Sequence, residues 1–210
     1  MALVFGKSFR QLLIDVALLF LFAQIALEKL SLVLVDPNLP LLIVLAKCSL
    51  DAVAFLFRAA PLDVSTRWVD WVVTLLMVFG PLAFTSAPVD MSGSFVAVVR
   101  LSLFMQIAGF AISLFGLVFL FRSWGLVPAN RGIKTSGLYR FVRHPIYLGY
   151  VLVWTGFVMS NPSWGNGALL LILLISFVFR IGAEERLLLR DPAYQTYVKR
   201  TRWRVIPGIF

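Results

Sequence analysis

An arginine and two glutamates near the end of this 210-residue chain have residue types and a spacing that could do chemistry. Arg180 and Glu184 are four residues apart, so on a helix they share one face. The planar fork of Arg180 could hold a carboxylate, and Glu184 could take a ligand ammonium or a sugar hydroxyl. Glu185 lies about 100° further round the helix and is the less direct partner. An ordinary ion pair at a membrane edge is the simpler alternative.

The only histidine, His144, is followed by a proline that suits the first turn of a helix. His144 is a candidate base. Taken alone, however, the motif is more typical of a membrane anchor, in which Arg143 binds lipid phosphate and His144 caps the helix. An aromatic belt at the membrane surface is likewise the commoner explanation for the four nearby tyrosines, which are Tyr139, Tyr147, Tyr194 and Tyr197.

The rest of the chain is strongly apolar. It is 60% hydrophobic and 14% charged, whereas a soluble domain has roughly 25% charged residues, and its mean hydropathy is +0.93. We therefore predict an all-α, polytopic membrane helix bundle of about six hydrophobic segments, of which the last two are short. The six segments are Leu12–Val35, Leu41–Arg58, Trp68–Phe84, Phe95–Phe121, Pro145–Ser160 and Ala168–Arg180.

Turn formers divide the chain and bring its polar parts together. The stretch Asn161–Gly167 is dense in them, so the last two segments should form a helical hairpin. Residues 1–121 hold the first four segments. Residues 122–210 hold two polar segments, about 122–144 and 181–210, which flank the hairpin. Because the hairpin returns the chain to its starting side, we expect these two segments to meet in one shared site, a cofactor pocket on the cytoplasmic side.

The two polar segments differ in their predicted backbone. The first contains Pro128, Gly132 and Gly137 and should be irregular, which near a membrane requires cover by protein or water. The second continues the sixth helix until Asp191-Pro192 ends it. A short helix over about Ala193–Arg200 follows.

The net charge of +9 is explained by membrane topology. With the N-terminus in the cytoplasm, sixteen of the nineteen Lys and Arg residues fall on the cytoplasmic side, which is the positive-inside pattern. Both termini are then cytoplasmic, in a plasma or inner membrane if the protein is bacterial. The expected partner is the lipid bilayer and not a nucleic acid. The three remaining cations, Lys29, Lys47 and Arg100, lie within hydrophobic segments.

Charges inside the membrane define a competing function. Lys47 and Asp51 are four apart in the second segment, and Asp15 and Glu28-Lys29 lie in the first. Such residues often mark ion or substrate paths, so a small transporter or channel subunit is one alternative. Mutual neutralisation of Lys47 by Asp51, and of Lys29 by Glu28 or another helix, is the explanation we favour. A non-catalytic membrane scaffold is the other alternative. With one cysteine and one histidine, no metal cluster is predicted.

The order of the C-terminal motifs resembles the isoprenylcysteine carboxyl methyltransferase family and its phospholipid methyltransferase relatives. Each motif is weak alone, but their order and spacing are specific, and the resemblance covers roughly residues 122–207. The motifs are Gly137-Leu-Tyr139, Arg143-His-Pro-Ile-Tyr147-Leu-Gly149, an apolar hairpin with Asn161-Pro162 at its tip, Arg180 with Glu184-Glu185, and Tyr194, Tyr197 and Arg200.

The resemblance implies an integral membrane enzyme that uses S-adenosyl-L-methionine from the cytoplasmic side. Arg180, one helical turn before the acid, would face the substrate, and the implied catalytic residues are Arg180, Glu184 and Arg143. The residues that would bind the cofactor are Arg131, Gly132, Ile133, Lys134, Tyr139, His144, Pro145, Ile146, Tyr147 and Glu184.

The acceptor of the methyl group is left open by the sequence. A lipid-like or small hydrophobic acceptor, or a lipidated one, would enter between the helices, and carboxyl O-methylation of isoprenylcysteine is one candidate reaction. A carboxylate acceptor needs no base, whereas an amine or thiol would need one, for which His144 and Glu185 are candidates. The tail is more basic than the family pattern, so the arginine that enters the site is also left open.

Overall fold

The computed structural model describes residues 9–35, 39–86, 93 and 95–210, and in these it is mostly helical. Each of the six predicted hydrophobic segments lies largely within a helix, so an all-α membrane protein is confirmed. The structure also contains an antiparallel pair of two-residue strands that the sequence did not predict, β1 at Asp63–Val64 and β2 at Ala129–Asn130. The helices are α1 Phe9–Val35, α2 Leu39–Phe57, α3 Trp68–Phe79, α4 Phe95–Leu120, α5 Pro145–Ser160, α6 Trp164–Leu188 and α7 Pro192–Arg200.

Within the described residues, three helical stretches are long and apolar enough to cross a membrane: Gln11–Val35, Phe95–Ser123 and Trp164–Leu188. They make the chain an integral membrane protein. The apolar helices Trp68–Ala83 and Pro145–Ser160 are shorter. That all six segments cross, with both termini in the cytoplasm, stays a prediction.

The last helix of the hairpin is longer than the sequence predicted, because the turn before it is shorter. Asn161–Gly167 was expected to be turn, yet α6 begins at Trp164. Ser163 caps the helix by accepting a hydrogen bond from the Asn166 backbone N–H at 3.1 Å. The Asn166 side chain then donates to the Asn161 carbonyl at 2.8 Å. Its 25 residues give α6 a length of about 37 Å, so it reaches from the hairpin tip to the acidic pair.

Helices α4 and α5 lie in backbone contact through small residues. A Cβ built on Gly149 would be 2.5 Å from the Gly109 carbonyl oxygen, and one on Gly109 would be 2.5 Å from the Gly149 oxygen. Ser102 on α4 also donates a hydrogen bond to the Gly156 carbonyl at 2.7 Å. Small residues permit this close approach in membranes, where packing and interhelical hydrogen bonds replace the hydrophobic effect. The contact fixes the start of α5, which follows His144.

The two polar segments meet, as the hairpin argument predicted. The Arg143 backbone N–H donates to the Trp203 carbonyl at 3.0 Å, and the His144 N–H donates to the Arg204 carbonyl at 2.8 Å. On the other side, Asp63 pairs with Asn130 in the short strand pair. The loop before α5 is therefore held between the tail and the loop after α2.

We predict that Gly149→Ala destabilises the protein, although alanine is usually the better helix residue. The new methyl group would have to push apart two backbones, and overpacking of this kind costs about 1–3 kcal/mol. Thermal unfolding in detergent measures the effect. Gly165→Ala in α6 is the matched control, since no atom lies within 4 Å of its new Cβ. An unchanged Gly149→Ala melting temperature would contradict the close α4–α5 packing.

Candidate functional site

A cavity of about 570 Å³ runs from the meeting point of the polar segments into the apolar bundle. Its polar end is lined by His144, Tyr147, Arg180 and Glu184. Its apolar end is lined by side chains of α1 to α3, α5 and α6, among them Phe22, Met77, Val78, Trp154 and Phe177. The volume is within the range of small-molecule sites, roughly 300–1,000 Å³.

Arg180 is the centre of the polar end. Its side chain is 3% exposed, and its Nε donates to Glu184 Oε1 at 2.9 Å and to the Tyr147 hydroxyl at 3.1 Å. Its Nη1 donates to Thr74 Oγ1 at 2.5 Å. The Tyr147 hydroxyl in turn donates to Glu184 Oε1 at 2.8 Å. The predicted i,i+4 pair therefore exists, but it is buried inside a network from three helices and is no ordinary surface pair.

Glu185 is the more buried of the two carboxylates. Its side chain is 5% exposed, against 21% for Glu184. Glu185 Oε1 lies 3.2 Å from Arg143 Nη2, and Oε2 accepts from Arg204 Nε at 2.7 Å. Oε1 also lies 3.5 Å from the Tyr194 hydroxyl. Glu185, the less direct partner by sequence, thus holds the Arg-His-Pro motif and the tail together through Arg143 and Arg204.

His144 connects the two carboxylates. Its Nδ1 lies 3.5 Å from Glu184 Oε2, and its Nε2 lies 3.3 Å from Glu185 Oε1. Burial by itself lowers the pKa of the imidazolium, but the contacts with both glutamates outweigh it, so the pKa of His144 is raised above its usual value. An imidazolium that donates from both nitrogens satisfies both carboxylates.

The predicted cofactor loop forms a second wall of the cavity. Arg131 donates from Nε to the Ala59 carbonyl at 3.1 Å, and burial, with the nearby Arg58 charge, lowers the pKa of Arg131 to about 10. Gly132 has φ of +95°, which favours glycine, and its N–H donates to Asn130 Oδ1 at 2.9 Å. Ile133 and Lys134 follow along the same wall.

Three buried tyrosines support that loop. Tyr139, Tyr194 and Tyr197 form one cluster, 3% to 6% exposed. The Tyr197 hydroxyl donates to the Tyr139 carbonyl at 2.6 Å, while the Tyr139 hydroxyl lies 3.4 Å from the Gly116 carbonyl. Burial raises the pKa of Tyr197 to about 12, so it stays a neutral donor. The expectation of a surface aromatic belt is wrong for these three and for Tyr147, which is 8% exposed.

All but one of the predicted site residues line the cavity. The exception is Pro145, which is fully buried. As the first residue of α5 it packs beside Gly116, where its Cγ lies 3.6 Å from the position a Cβ would take; its place is structural. The cavity-lining residues are Arg131, Gly132, Ile133, Lys134, Tyr139, Arg143, His144, Ile146, Tyr147, Arg180 and Glu184.

The anchor explanation of the Arg-His-Pro motif is wrong. Arg143 is 8% exposed and binds Glu185 rather than lipid phosphate. His144 precedes α5, but its side chain makes no capping hydrogen bond. Among the described residues, Arg143 Nε is the one buried side-chain nitrogen or oxygen without a hydrogen-bond partner.

Sequence reasoning missed the residues that complete the network from a distance. Arg204 is the tail arginine that joins the network, through its contact with Glu185. Thr74 and the Gly125 carbonyl hold Arg180 from α3 and from the loop after α4. Arg204 stood in a run of basic residues with no feature to single it out. Thr74 carried one signal, since a hydroxyl within an apolar helix needs a partner.

Comparison with known proteins finds a family for the larger part of the chain. The model of a family described as "Protein of unknown function (DUF1295)" matches residues 59–201. The match begins after α2 and includes every site residue that the sequence predicted, but not Arg204. No curated protein and no solved structure matches the chain.

We predict that Glu185→Gln destabilises the protein by about 3–5 kcal/mol, because it leaves the buried Arg143 without its counter-charge and removes one of the two carboxylates beside His144. Chemical or thermal unfolding in detergent measures the loss. Asp63→Asn is the matched control, since the pair of Asp63 with Arg190 is exposed and contributes about 1 kcal/mol at most. Equal losses in the two variants would contradict the anchoring role of Glu185.

The raised pKa of His144 predicts a pH dependence of stability. A group whose pKa is higher in the folded state stabilises the fold below its unfolded pKa of about 6.5, and this contribution disappears as the pH rises through the folded pKa. The melting temperature of the wild type should therefore fall on going from pH 6 to pH 9 more than that of His144→Asn. Parallel curves would show that His144 is not coupled to the two glutamates in this way.

Proposed function

The chain belongs to the DUF1295 family, and from the site that its matched segment forms we propose that it is an integral-membrane methyltransferase that uses S-adenosyl-L-methionine. We further propose that it methylates a carboxylate on a lipid-like acceptor, with isoprenylcysteine as one candidate. The observation that carries the proposal is the juxtaposition of an Arg180–Glu184–Tyr147 network with an apolar cavity. A polar cofactor and an apolar acceptor need both environments in one space.

The polar end of the cavity fits the chemical groups of the cofactor. S-adenosyl-L-methionine has a sulfonium cation, a zwitterionic amino acid end and a nucleoside. Glu184 accepts from Arg180 and Tyr147 at one oxygen and lies near His144 at the other. A carboxylate has about four acceptor positions, so one remains for a ligand ammonium or hydroxyl. Glu184 is also the more exposed carboxylate, at 21%. Arg143, with its unpaired Nε–H, offers a buried donor for a ligand oxygen.

The aromatic residues fit the sulfonium centre. Tyr139 and Tyr147 line the cavity on either side of His144 in the sequence, and aromatic faces attract cations. When bound, the cofactor would supply an electrophilic methyl group on its sulfur. A lone pair of the acceptor would form the new bond to this methyl group, and the electrons of the broken carbon–sulfur bond would stay on sulfur. The residues of this chain contribute by positioning both molecules and by excluding water.

Arg180 fits the role of acceptor orienter. Of its five N–H donors, Nε and one on Nη1 are engaged by close partners, and the Gly125 carbonyl lies 3.5 Å from Nη2. The remaining donors form part of the fork that matches a carboxylate. Because the fork is held from α3, α5 and α6, it is pre-organised for an acceptor that enters from the apolar end.

The electrostatics favour a carboxylate acceptor over an amine or thiol. A carboxylate is already a nucleophile, whereas an amine or thiol must lose a proton to a base. The two candidate bases, His144 and Glu185, are poorly suited to accept that proton. The contacts of His144 with the two glutamates raise its pKa and so favour the protonated ring, and Glu185 is paired with Arg143 and Arg204. Methylation of a carboxylate, which gives an ester, therefore needs no proton acceptor among His144 and Glu185.

We predict micromolar-range binding of S-adenosyl-L-methionine to the detergent-solubilised wild type by calorimetry. Glu184→Gln should weaken it by about tenfold or more, since a hydrogen bond to a charged group contributes about 1.5–3 kcal/mol. Asp63→Asn, which removes a carboxylate outside the cavity, should bind as the wild type does. NADPH serves as a second nucleotide that should not bind. A folded wild-type protein without affinity for the cofactor would contradict the proposal and favour a scaffold or transport role.

We predict that Arg180→Lys lowers methyl transfer to N-acetyl-S-farnesylcysteine by at least about tenfold while retaining cofactor binding, because a point charge cannot replace the planar fork. The assay measures volatile methanol released by alkali from a labelled methyl ester, which an N- or S-methyl product does not give. Arg190→Lys, at an exposed pair, is the control. Unchanged turnover and acceptor binding in Arg180→Lys and Arg180→Ala would contradict the orienting role.

A further inference from the structure

A second charged pair lies at the other end of the cavity, outside the residues that the family model matches. Lys47 and Asp51 on α2 form an ion pair, and both line the cavity. Asp51 is buried, with 5% of its side chain exposed, whereas Lys47 retains 34%. Lys29 of α1 lines the same end, and its partner Glu28 is 66% exposed.

Two tyrosines of α5 connect this pair to the candidate site. Lys47 Nζ lies 5.2 Å from the centre of the Tyr150 ring, and the Tyr150 and Tyr147 rings are 6.2 Å apart. The Tyr147 hydroxyl reaches Glu184 at 2.8 Å. The Lys47–Asp51 pair is therefore separated from the Arg180–Glu184 pair by two rings, along one continuous cavity wall.

The charges at this end are unequal on the cavity side. Two lysines line the cavity here, while Asp51 is the carboxylate that lines it with them; Glu28 is mostly exposed. An ammonium has three N–H donors; in the described part of the chain, Asp51 takes one, and the Tyr150 ring is the second contact of the Lys47 ammonium. A donor of Lys47 is left for a ligand oxygen. A partly buried cation in a membrane protein is costly, and such residues are typically retained for binding.

We propose that Lys47, held by Asp51, forms a second polar subsite that binds an oxygen anion on the apolar acceptor. The identity of the ligand as a methyl acceptor rests on the proposed function. The anion subsite itself is formed by residues of α1, α2 and α5 and does not depend on that function. It assigns to the cavity an amphipathic ligand with two polar ends, one at Arg180 and one at Lys47. Helices α1 and α2 precede the matched residues 59–201, so this subsite stands on the part of the chain outside the family match.

The test uses native mass spectrometry of the full-length protein released from detergent, which counts bound probe molecules. The probes are dodecyl phosphate, dodecanoate and dodecanol, which share a chain and differ in the head group. The wild type should retain the two anions about tenfold better than dodecanol, as expected for charge-assisted hydrogen bonds. If dodecyl phosphate alone is retained, the anion is a phosphate; if dodecanoate alone is retained, it is a carboxylate.

Substitutions at the pair should change retention in opposite directions. Lys47→Met should reduce the preference for anions to what Arg180 alone provides, and Lys47→Arg should keep most of the wild-type preference. Asp51→Asn should increase retention, because it frees Lys47 from its partner. Lys199→Met, an exposed lysine of α7 outside the cavity, should behave as the wild type does. If a single variant fails to fold, Lys47→Met with Asp51→Asn removes both charges together and should likewise retain anions less well than the wild type does.

Binding of S-adenosyl-L-methionine, measured on the same samples, separates the two proposals. Unchanged cofactor affinity with reduced anion retention in Lys47→Met supports the subsite. Absent cofactor binding in a wild type that still retains anions through Lys47 overturns the methyltransferase and leaves the anion subsite. Equal retention of anions and dodecanol by the wild type, or equal anion retention by wild type and Lys47→Met, overturns the subsite.

Discussion

The structure depends on the cost of placing two adjacent carboxylates at the end of a membrane helix. Glu184 and Glu185 are both substantially buried, and a buried carboxylate is tolerated only when it is paired and hydrogen-bonded. Since neighbours on a helix point about 100° apart, no single segment can satisfy both. Glu184 faces Arg180 on its own helix, while Glu185 draws in Arg143 from the loop before α5 and Arg204 from the tail. His144 joins the two groups.

That requirement makes the close helix packing necessary. His144 reaches both glutamates only if α5 starts at the right depth, and this depth is set by the backbone contact between Gly149 and Gly109 and by Pro145 beside Gly116. The tail must then pair with the chain at Arg143 and His144, where two backbone hydrogen bonds hold it. The position of the His144 imidazole is therefore set both by the small residues between α4 and α5 and by the polar contacts at the end of the bundle.

The sequence predicted the elements well and the partners less well, for physical reasons. Hydrophobic length located the helices, and the return of the hairpin correctly predicted that the polar segments meet. The start of α6 was misplaced because Trp164-Gly165-Asn166-Gly167 has turn-like composition, whereas the Ser163 cap decides the helix start. The pairing of Lys47 with Asp51, and of Lys29 with Glu28, followed from their spacing. Arg204 could not be singled out from the basic tail, and the partner of Thr74 could not be identified, because a contact between distant segments, such as Thr74 with Arg180, leaves no local pattern that names both residues.

The cavity is lined both by the segment that the family model matches and by the two helices that precede it. Its polar end is formed by the segment that the family shares, with Arg180, Glu184 and the glycine loop held by buried tyrosines. Its apolar end is closed by α1 and α2, which lie outside that segment and bring the Lys47–Asp51 pair. In the methyltransferase that we propose, the polar end holds the soluble donor and the apolar end holds the acceptor. The contacts described above for Glu184 and Glu185 come from residues outside α1 and α2, so the Lys47–Asp51 pair and the carboxylate network are held by different parts of the chain.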